Sequence, residues 1–227
     1  MKPRVLIAVP VSADGRPSCE TAEAVGNLRG TYPERFVELR VRDIGSTFLV
    51  REAIADWVRA DQRFTHTLLV DSDIKFVPEQ AMALLAAEKD IVAGVYVTKD
   101  ALPTPVTYYD GQDGLMRPML GRSIMEVDKI GLGFCLIHRR VIDKTPKPLF
   151  AHVAEDVHFC RQVRAAGFRI WCDFRVQVGH LGKRVFTVED AEATAQRLGL
   201  EPGVTPADAE VLMSGDEVRA VEMRGRR

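Results

Sequence analysis

The chain has 227 residues, 46% of them hydrophobic, enough for one sizeable core and one main domain. Its formal net charge of −1 excludes a global electrostatic drive toward nucleic acid or anionic membrane, though not a local basic groove. No apolar run approaches the roughly 20 residues of a membrane span. Cys19, Cys135, Cys160 and Cys172 form no C-x-x-C pair, so free thiols in a reducing, cytoplasmic setting are expected.

Residues 5–9, Val-Leu-Ile-Ala-Val, read as a fully buried strand; the run is too short for a signal-peptide core and no cleavage-like site follows it. Residues 18–29 read as a helix, started by Pro17 or Ser18 and closed by Gly30. A strand (36–41), an amphipathic helix (48–60), a third strand (68–70), a helix opened by Pro78 (78–88) and a fourth strand (91–96) follow. This alternation is the signature of parallel β-α-β units, whose ligands bind beyond the carboxyl ends of the strands.

Past residue 100 the pattern changes. Strands at 104–110 and 124–130 are separated by turns at Gly111, Gly114 and Gly121, and Gly131-Leu132-Gly133 leads into an apolar run at 134–137. A helix at 155–166, closed by Gly167, and short strands at 169–172 and 176–178 give a mixed continuation of the sheet. Thr187 and Asp190 form a capping box for a helix ending before Gly199, and Thr205-Pro206, with Asp208, starts another. The expected division is a main domain over 1–186 and a helical extension over 187–227 ending in Arg224-Gly225-Arg226-Arg227.

Asp71-Ser72-Asp73 directly follows the third strand. Where a strand opens into a loop, two carboxylates separated by one small residue can turn toward one point. Hard divalent cations such as Mg²⁺ or Mn²⁺ take such oxygens and share them with substrate phosphates. The plainer alternative is a turn in which Asp and Ser bond their own backbone.

Four further features bear on these aspartates. Glu155-Asp156 opens a helix, either as a cap facing the macrodipole or as a carboxylate base. His180, between Gly179 and Leu181-Gly182, is either structural or an imidazole ligand beside carboxylates. Arg51, with Glu52, lies on the helix after Gly45-Ser46-Thr47, either on a solvated face or against a diphosphate, which guanidinium suits. Gly131-Leu132-Gly133 either relieves a tight turn or lets backbone approach a sugar closely.

Taken in order, a strand ending Val9-Pro10, the Arg51-Glu52 pair, Leu69-Val70-Asp71-Ser72-Asp73-Ile74, Lys89 to Tyr96, Gly131-Leu132-Gly133-Phe134, Glu155-Asp156 and Gly179-His180 resemble a GT-A-fold glycosyltransferase. They are similar to the family 2 group and its short bacterial and phage relatives, over roughly residues 3–186. The resemblance implies an α/β fold, a Rossmann-like mixed sheet flanked by helices. It implies a nucleotide-diphosphate sugar as donor, Mn²⁺ or Mg²⁺ held by Asp71 and Asp73 with His180, and an inverting displacement. Asp156 is then the base and Glu155 orients the helix end or the acceptor. Pro10, Val11, Arg51, Asp71, Ser72, Asp73, Lys99 and Gly133 line the donor site, and Tyr96 with Lys99 borders the sugar.

The chain departs from the family pattern in two places. Glu52 stands where relatives often have Asn, and Val11-Ser12-Ala13 stands where they often have a Tyr-Asn-Glu type sequence. No convincing Gln/Arg-x-x-Arg-Trp element is present, Arg161-Gln162-Val163-Arg164 being a poor match, so one transfer per acceptor is expected rather than processive synthesis. Rival readings are a nucleotidyltransferase, of whose Gly-rich basic loop Gly15-Arg16 is a faint version, and a nucleotide-sugar-binding domain without activity. A saccharide-type acceptor is preferred. A hydroxylated base in DNA is the alternative, through Arg139-Arg140, Lys144, Lys147 and Lys183-Arg184.

Overall fold

An all-apolar strand needs cover on both faces, and β1 (Val5–Val11) has it. Leu6 and Ala8 point into one apolar layer, and Val5, Ile7, Val9 and Val11 into the other. The computed structural model describes residues 3–11, 16–42, 46–112, 114–151, 154–197, 211–214 and 217–220. After β1 come α1 (Cys19–Thr31), β2 (Phe36–Arg42), α2 (Thr47–Ala60), β3 (His66–Val70), β4 (Ile74–Lys75), α3 (Pro78–Ala86) and β5 (Ile91–Val95). The Ser18 hydroxyl accepts the Thr21 N–H at 3.1 Å to start α1. Pro78 opens α3, where the Gln80 side chain reaches back to the Val77 N–H at 2.8 Å.

The second half contributes β6 (Thr107–Asp110), β7 (Met116–Pro118), β8 (Ile124–Val127), β9 (Lys129–Ile130), β10 (Phe134–His138), α4 (Arg139–Lys144), α5 (Glu155–Ala165) and β11 (Ile170–Gln177). Seven strands make the main sheet in the order β2-β1-β3-β10-β5-β11-β8. β1 is parallel to β2 and β3, and β5 to β11, while β10 runs antiparallel to both β3 and β5. Residues of α2 and α5 pack in the layer holding Leu6; those of α1 and α3 pack in the layer holding Ile7. This is the helix-flanked mixed sheet expected. Because β1 has β2 on one side and β3 on the other, the chain reverses its direction of travel at the carboxyl ends of β1 and β3. Such a switch point leaves a crevice for a ligand.

Several boundaries differ from the sequence reading. The apolar run after Gly133 is β10, the central strand. The run at 124–130 splits into β8 and β9, and the two short strands near 170 are one, β11, with a register shift between Asp173 and Gln177. β12 (Gly179–Leu181) pairs with β4 and with β13 (Val185–Phe186), a small sheet absent from that reading.

α6 (Val188–Arg197) forms behind Thr187, whose N–H donates to Asp190 at 2.8 Å. The helix start expected at Thr205-Pro206 lies outside the described residues. Beyond it, β14 (Val211–Ser214) and β15 (Glu217–Ala220) pair antiparallel, so this part of the tail is a hairpin and not a helix. No described helix is long and apolar enough to cross a membrane.

At the opposite end of the strands from the crevice, His66 and His138 face each other across β3 and β10, ring centroids 4.6 Å apart. Burial, then the neighbouring His138, pushes His66 from its ordinary 6.5 down to about 4. The folded protein therefore binds fewer protons than the unfolded chain between those values. The stability contributed by neutral His66 is complete above pH 6.5 and is lost as pH falls toward 4. Melting temperature in His66→Asn should fall less steeply over this window than in the wild type. Parallel acid limbs in the two proteins would rule out His66 as their source.

Candidate active site

The turn after β3 is held by main-chain bonds to other segments. The Asp71 N–H donates to the Gly133 carbonyl at 2.9 Å, the Ser72 carbonyl accepts the Ser18 N–H at 2.8 Å, and the Asp73 carbonyl accepts the Leu181 N–H at 2.7 Å. With the backbone satisfied from β10, α1 and β12, the carboxylates of Asp71 and Asp73 are released from local capping and meet more distant partners.

Asp73 accepts from Lys99 Nζ at 2.5 Å, and its other oxygen lies 3.6 Å from His180 Nε2. His180 Nδ1 is 2.7 Å from the Val97 carbonyl. A carbonyl only accepts, so Nδ1 carries a proton there, and Nε2 is the ring nitrogen that faces Asp73. Burial would raise the Asp73 pKa, but hydrogen bonds and charge from His180 and Lys99 outweigh it and hold the carboxyl at about 2.

Asp71 is turned the other way. Its Oδ1 accepts from Arg51 Nη2 at 2.7 Å, and Arg51 Nη1 donates to Glu155 at 2.5 Å. Burial opposes the Arg51 charge, yet Asp71 and Glu155 together raise its pKa. Arg51 is 3% exposed, so it is not on a solvated helix face. Among the described residues no three His, Cys, Asp or Glu side chains converge on one point. Of the three residues expected to hold a metal, Asp73 and His180 face each other, while Asp71 pairs with Arg51.

Glu155 and Asp156 occupy the first turn of α5. Asp156 accepts the Val157 N–H at 2.7 Å, and burial chiefly raises its pKa. A carboxylate shifted upward is better suited to take a proton near neutral pH. Asp156 and Glu155 line one hollow of about 370 Å³ together with Pro10, Val11, Asp71, Ser72, Asp73 and Tyr96. Arg51 reaches this hollow too, with Thr47, Val50 and Leu132, three residues that sequence reasoning did not single out. Thr47 begins α2 and Leu132 lies between the two glycines, so position in chain order was their only available signal.

Gly131 and Gly133 make room for Tyr96. The Tyr96 hydroxyl accepts the Gly133 N–H at 3.0 Å, and a Cβ at Gly131 would lie 2.2 Å from that oxygen. At Gly133 a Cβ would lie 2.9 Å from the hydroxyl and 3.0 Å from Asp71. Close approach is the reason for both glycines, and the approaching groups are protein side chains. Tyr96 is buried, which pushes its pKa well above the ordinary value, and its ring meets His180 edge-on at 5.2 Å.

Four of the basic residues offered for nucleic acid have partners within the protein. Arg139 and Arg140 follow the His138 end of β10, opposite Asp71. Arg139 donates to the Asp61 and Arg59 carbonyls at 2.6 and 2.9 Å, and Arg140 pairs with Asp90. Lys147 pairs with Asp56, and Arg184 with Asp190 at 2.8 Å.

No protein-family model matches the chain, and no curated protein sequence matches it. Solved structures do. The crystal structure of A197 from STIV is similar with a TM-score of 0.57 at 19% identity, over 79% of this chain and 86% of that one. GalNAc-T7, solved with UDP, GalNAc and Mn²⁺, gives a TM-score of 0.49 at 7% identity, over 85% of this chain and 47% of that one. A glycosyltransferase involved in the glycosylation of the major capsid of PBCV-1 gives 0.36 at 12% identity, over 62% and 63%. At such identities the likeness concerns the fold.

Proposed function

We propose that the chain is a metal-dependent glycosyltransferase that moves a sugar from a nucleotide-diphosphate sugar to an acceptor hydroxyl with inversion. One observation carries the reading: Asp73, which has His180 beside it, and Asp156, a buried carboxylate at a helix start, line the same hollow at the sheet's switch point. Asp73 and His180 suit Mn²⁺ or Mg²⁺, which take few protein ligands and complete their shell with diphosphate oxygens and water. That cation offsets the negative charge that develops on the departing diphosphate.

Asp156 takes the proton of the acceptor hydroxyl. The acceptor oxygen bonds to the anomeric carbon from the face opposite the diphosphate. As that bond forms, the bond from the anomeric carbon to the diphosphate oxygen breaks, and the nucleoside diphosphate leaves with the electron pair. Lys99, already on Asp73, adds positive charge at the diphosphate end. Tyr96 spans the distance between the two ends, touching His180 on one side and Gly133 on the other. A saccharide-type acceptor is favoured over DNA, because phosphate binding draws on Lys and Arg free to displace counterions, and the clusters at Arg139–Arg140 and Arg184 are spent on internal partners.

The test is a thermal-shift panel of nucleoside diphosphates and nucleotide sugars, each with and without Mn²⁺. A ligand of the native state raises the melting temperature by mass action, so one base and one sugar should stand out and only with the cation. A flat panel would remove the nucleotide-sugar donor from consideration.

A further inference from the structure

α2 carries Arg51 and Glu52 side by side, and both grip the same stretch of chain. Arg51 holds Glu155 at 2.5 Å, and Glu52 accepts the Phe150 N–H at 2.8 Å. Between these grips runs the lead into α5. The helix has no side-chain cap: its N-cap is Ala154, which stands at φ 62°, ψ 50°, and His158 Nε2 lies 3.1 Å from the Pro148 carbonyl on the same lead. A left-handed alanine is costly and persists only where its surroundings impose it. Phe150 also stacks on Phe159, ring centroids 5.2 Å apart, carrying the grip into the second turn.

Both terminal nitrogens of Arg51 are committed to carboxylates, and the side chain is almost wholly buried. A guanidinium used in this way is a rigid two-ended bracket. Its other end is Asp71, two residues from Asp73, so a single group fixes the spacing between the diphosphate end of the hollow and the Asp156 end.

We propose that Arg51 and Glu52 are positioning residues, a clamp that sets the first turn of α5 and thereby places Asp156 over the hollow. Arg51 acts through Glu155 and is not a contact of the donor. Glu52, which departs from the family pattern, belongs to the clamp and not to base or ribose recognition. The role of Asp156 rests on the glycosyltransferase reading; the clamp does not.

The experiment uses Glu52→Ala and Arg51→Lys in the full chain. Misplacing a catalytic group by about 1 Å costs on the order of 100-fold in rate, so kcat should fall roughly 10- to 100-fold in both. Affinity for a nucleoside diphosphate with Mn²⁺ should stay within about twofold, since no donor contact is removed. The His158 amide, which bonds the Ala154 carbonyl at 3.1 Å, should exchange hydrogen about tenfold faster, with β3 and β10 unchanged. Wild-type kcat and wild-type α5 exchange in Glu52→Ala would overturn the clamp. So would a loss of diphosphate affinity in Arg51→Lys equal to its loss of turnover, which would make Arg51 a donor contact. If Arg51→Lys does not fold, Glu52→Ala decides alone, since it leaves both ion pairs of Arg51 in place. If the wild type transfers no sugar, the glycosyltransferase reading falls, and the exchange rate at α5 still decides the clamp.

Discussion

Asp156→Asn should lower turnover by about 10²- to 10⁴-fold while leaving nucleoside diphosphate affinity unchanged, the range expected when a general base is removed. The substitution discriminates because Asn caps a helix about as well as Asp. It keeps the shape of the side chain and an oxygen able to accept the Val157 N–H. What it removes is the capacity to take a proton. The pH profile gives a second handle. Burial raises the Asp156 pKa, and a base works only when deprotonated, so the acid limb of kcat should lie above the ordinary carboxylate range of 3.8. Near-normal turnover in Asp156→Asn would reduce the residue to a part of the helix start.

Asp73→Asn should abolish the cation dependence of diphosphate binding. The neutral amide cannot replace the charge on a hard cation, and His180 alone is a poor site for Mn²⁺ or Mg²⁺. Losing even an outer-shell partner weakens a metal by about 10- to 100-fold, so losing the carboxylate itself should cost at least that. The fold should survive, because the turn is held through the main-chain atoms of Asp71, Ser72 and Asp73. Calorimetric titration of a nucleoside diphosphate with and without Mn²⁺ reads the effect directly. Tightening by Mn²⁺ that persists in the variant would show that the cation binds elsewhere. Asp71→Asn makes an informative comparison, since it strikes the Arg51 bracket and leaves the Asp73–His180 pair in place.

The sequence made the parallel half of the sheet legible because β1, β3 and β5 are short apolar runs bounded by turn residues, and α1 and α3 have their start residues. Ser18, Pro78 and the Thr187–Asp190 box all act where they stand. It did not reveal that the run 134–137 lies between β3 and β5, since strand order depends on pairing across long stretches of chain and apolar runs look alike in any position. The constellation was legible as an ordered set of polar residues after strands. Its internal wiring was not. That Asp71 turns to Arg51 and Asp73 to His180 depends on which neighbours fold brings within 3 to 4 Å. That the glycines serve Tyr96 depends on a ring arriving from 35 or more residues earlier, which no local pattern records.

β10 fills the centre of the sheet although it comes past the midpoint of the chain. Until residues 134–138 are in place, β3 and β5 have no shared neighbour, and each β-α-β unit presents an unpaired edge. Closing the sheet therefore joins residues 67–70 to 134–137 across a loop of more than 60 positions, an entropically slow event that follows the local helices. The same closure brings the Gly133 carbonyl to the Asp71 N–H and the Gly133 N–H to Tyr96. The site is thus completed only when β10 joins the sheet, and a chain made no further than residue 133 holds its aspartates without the geometry that gives them a use.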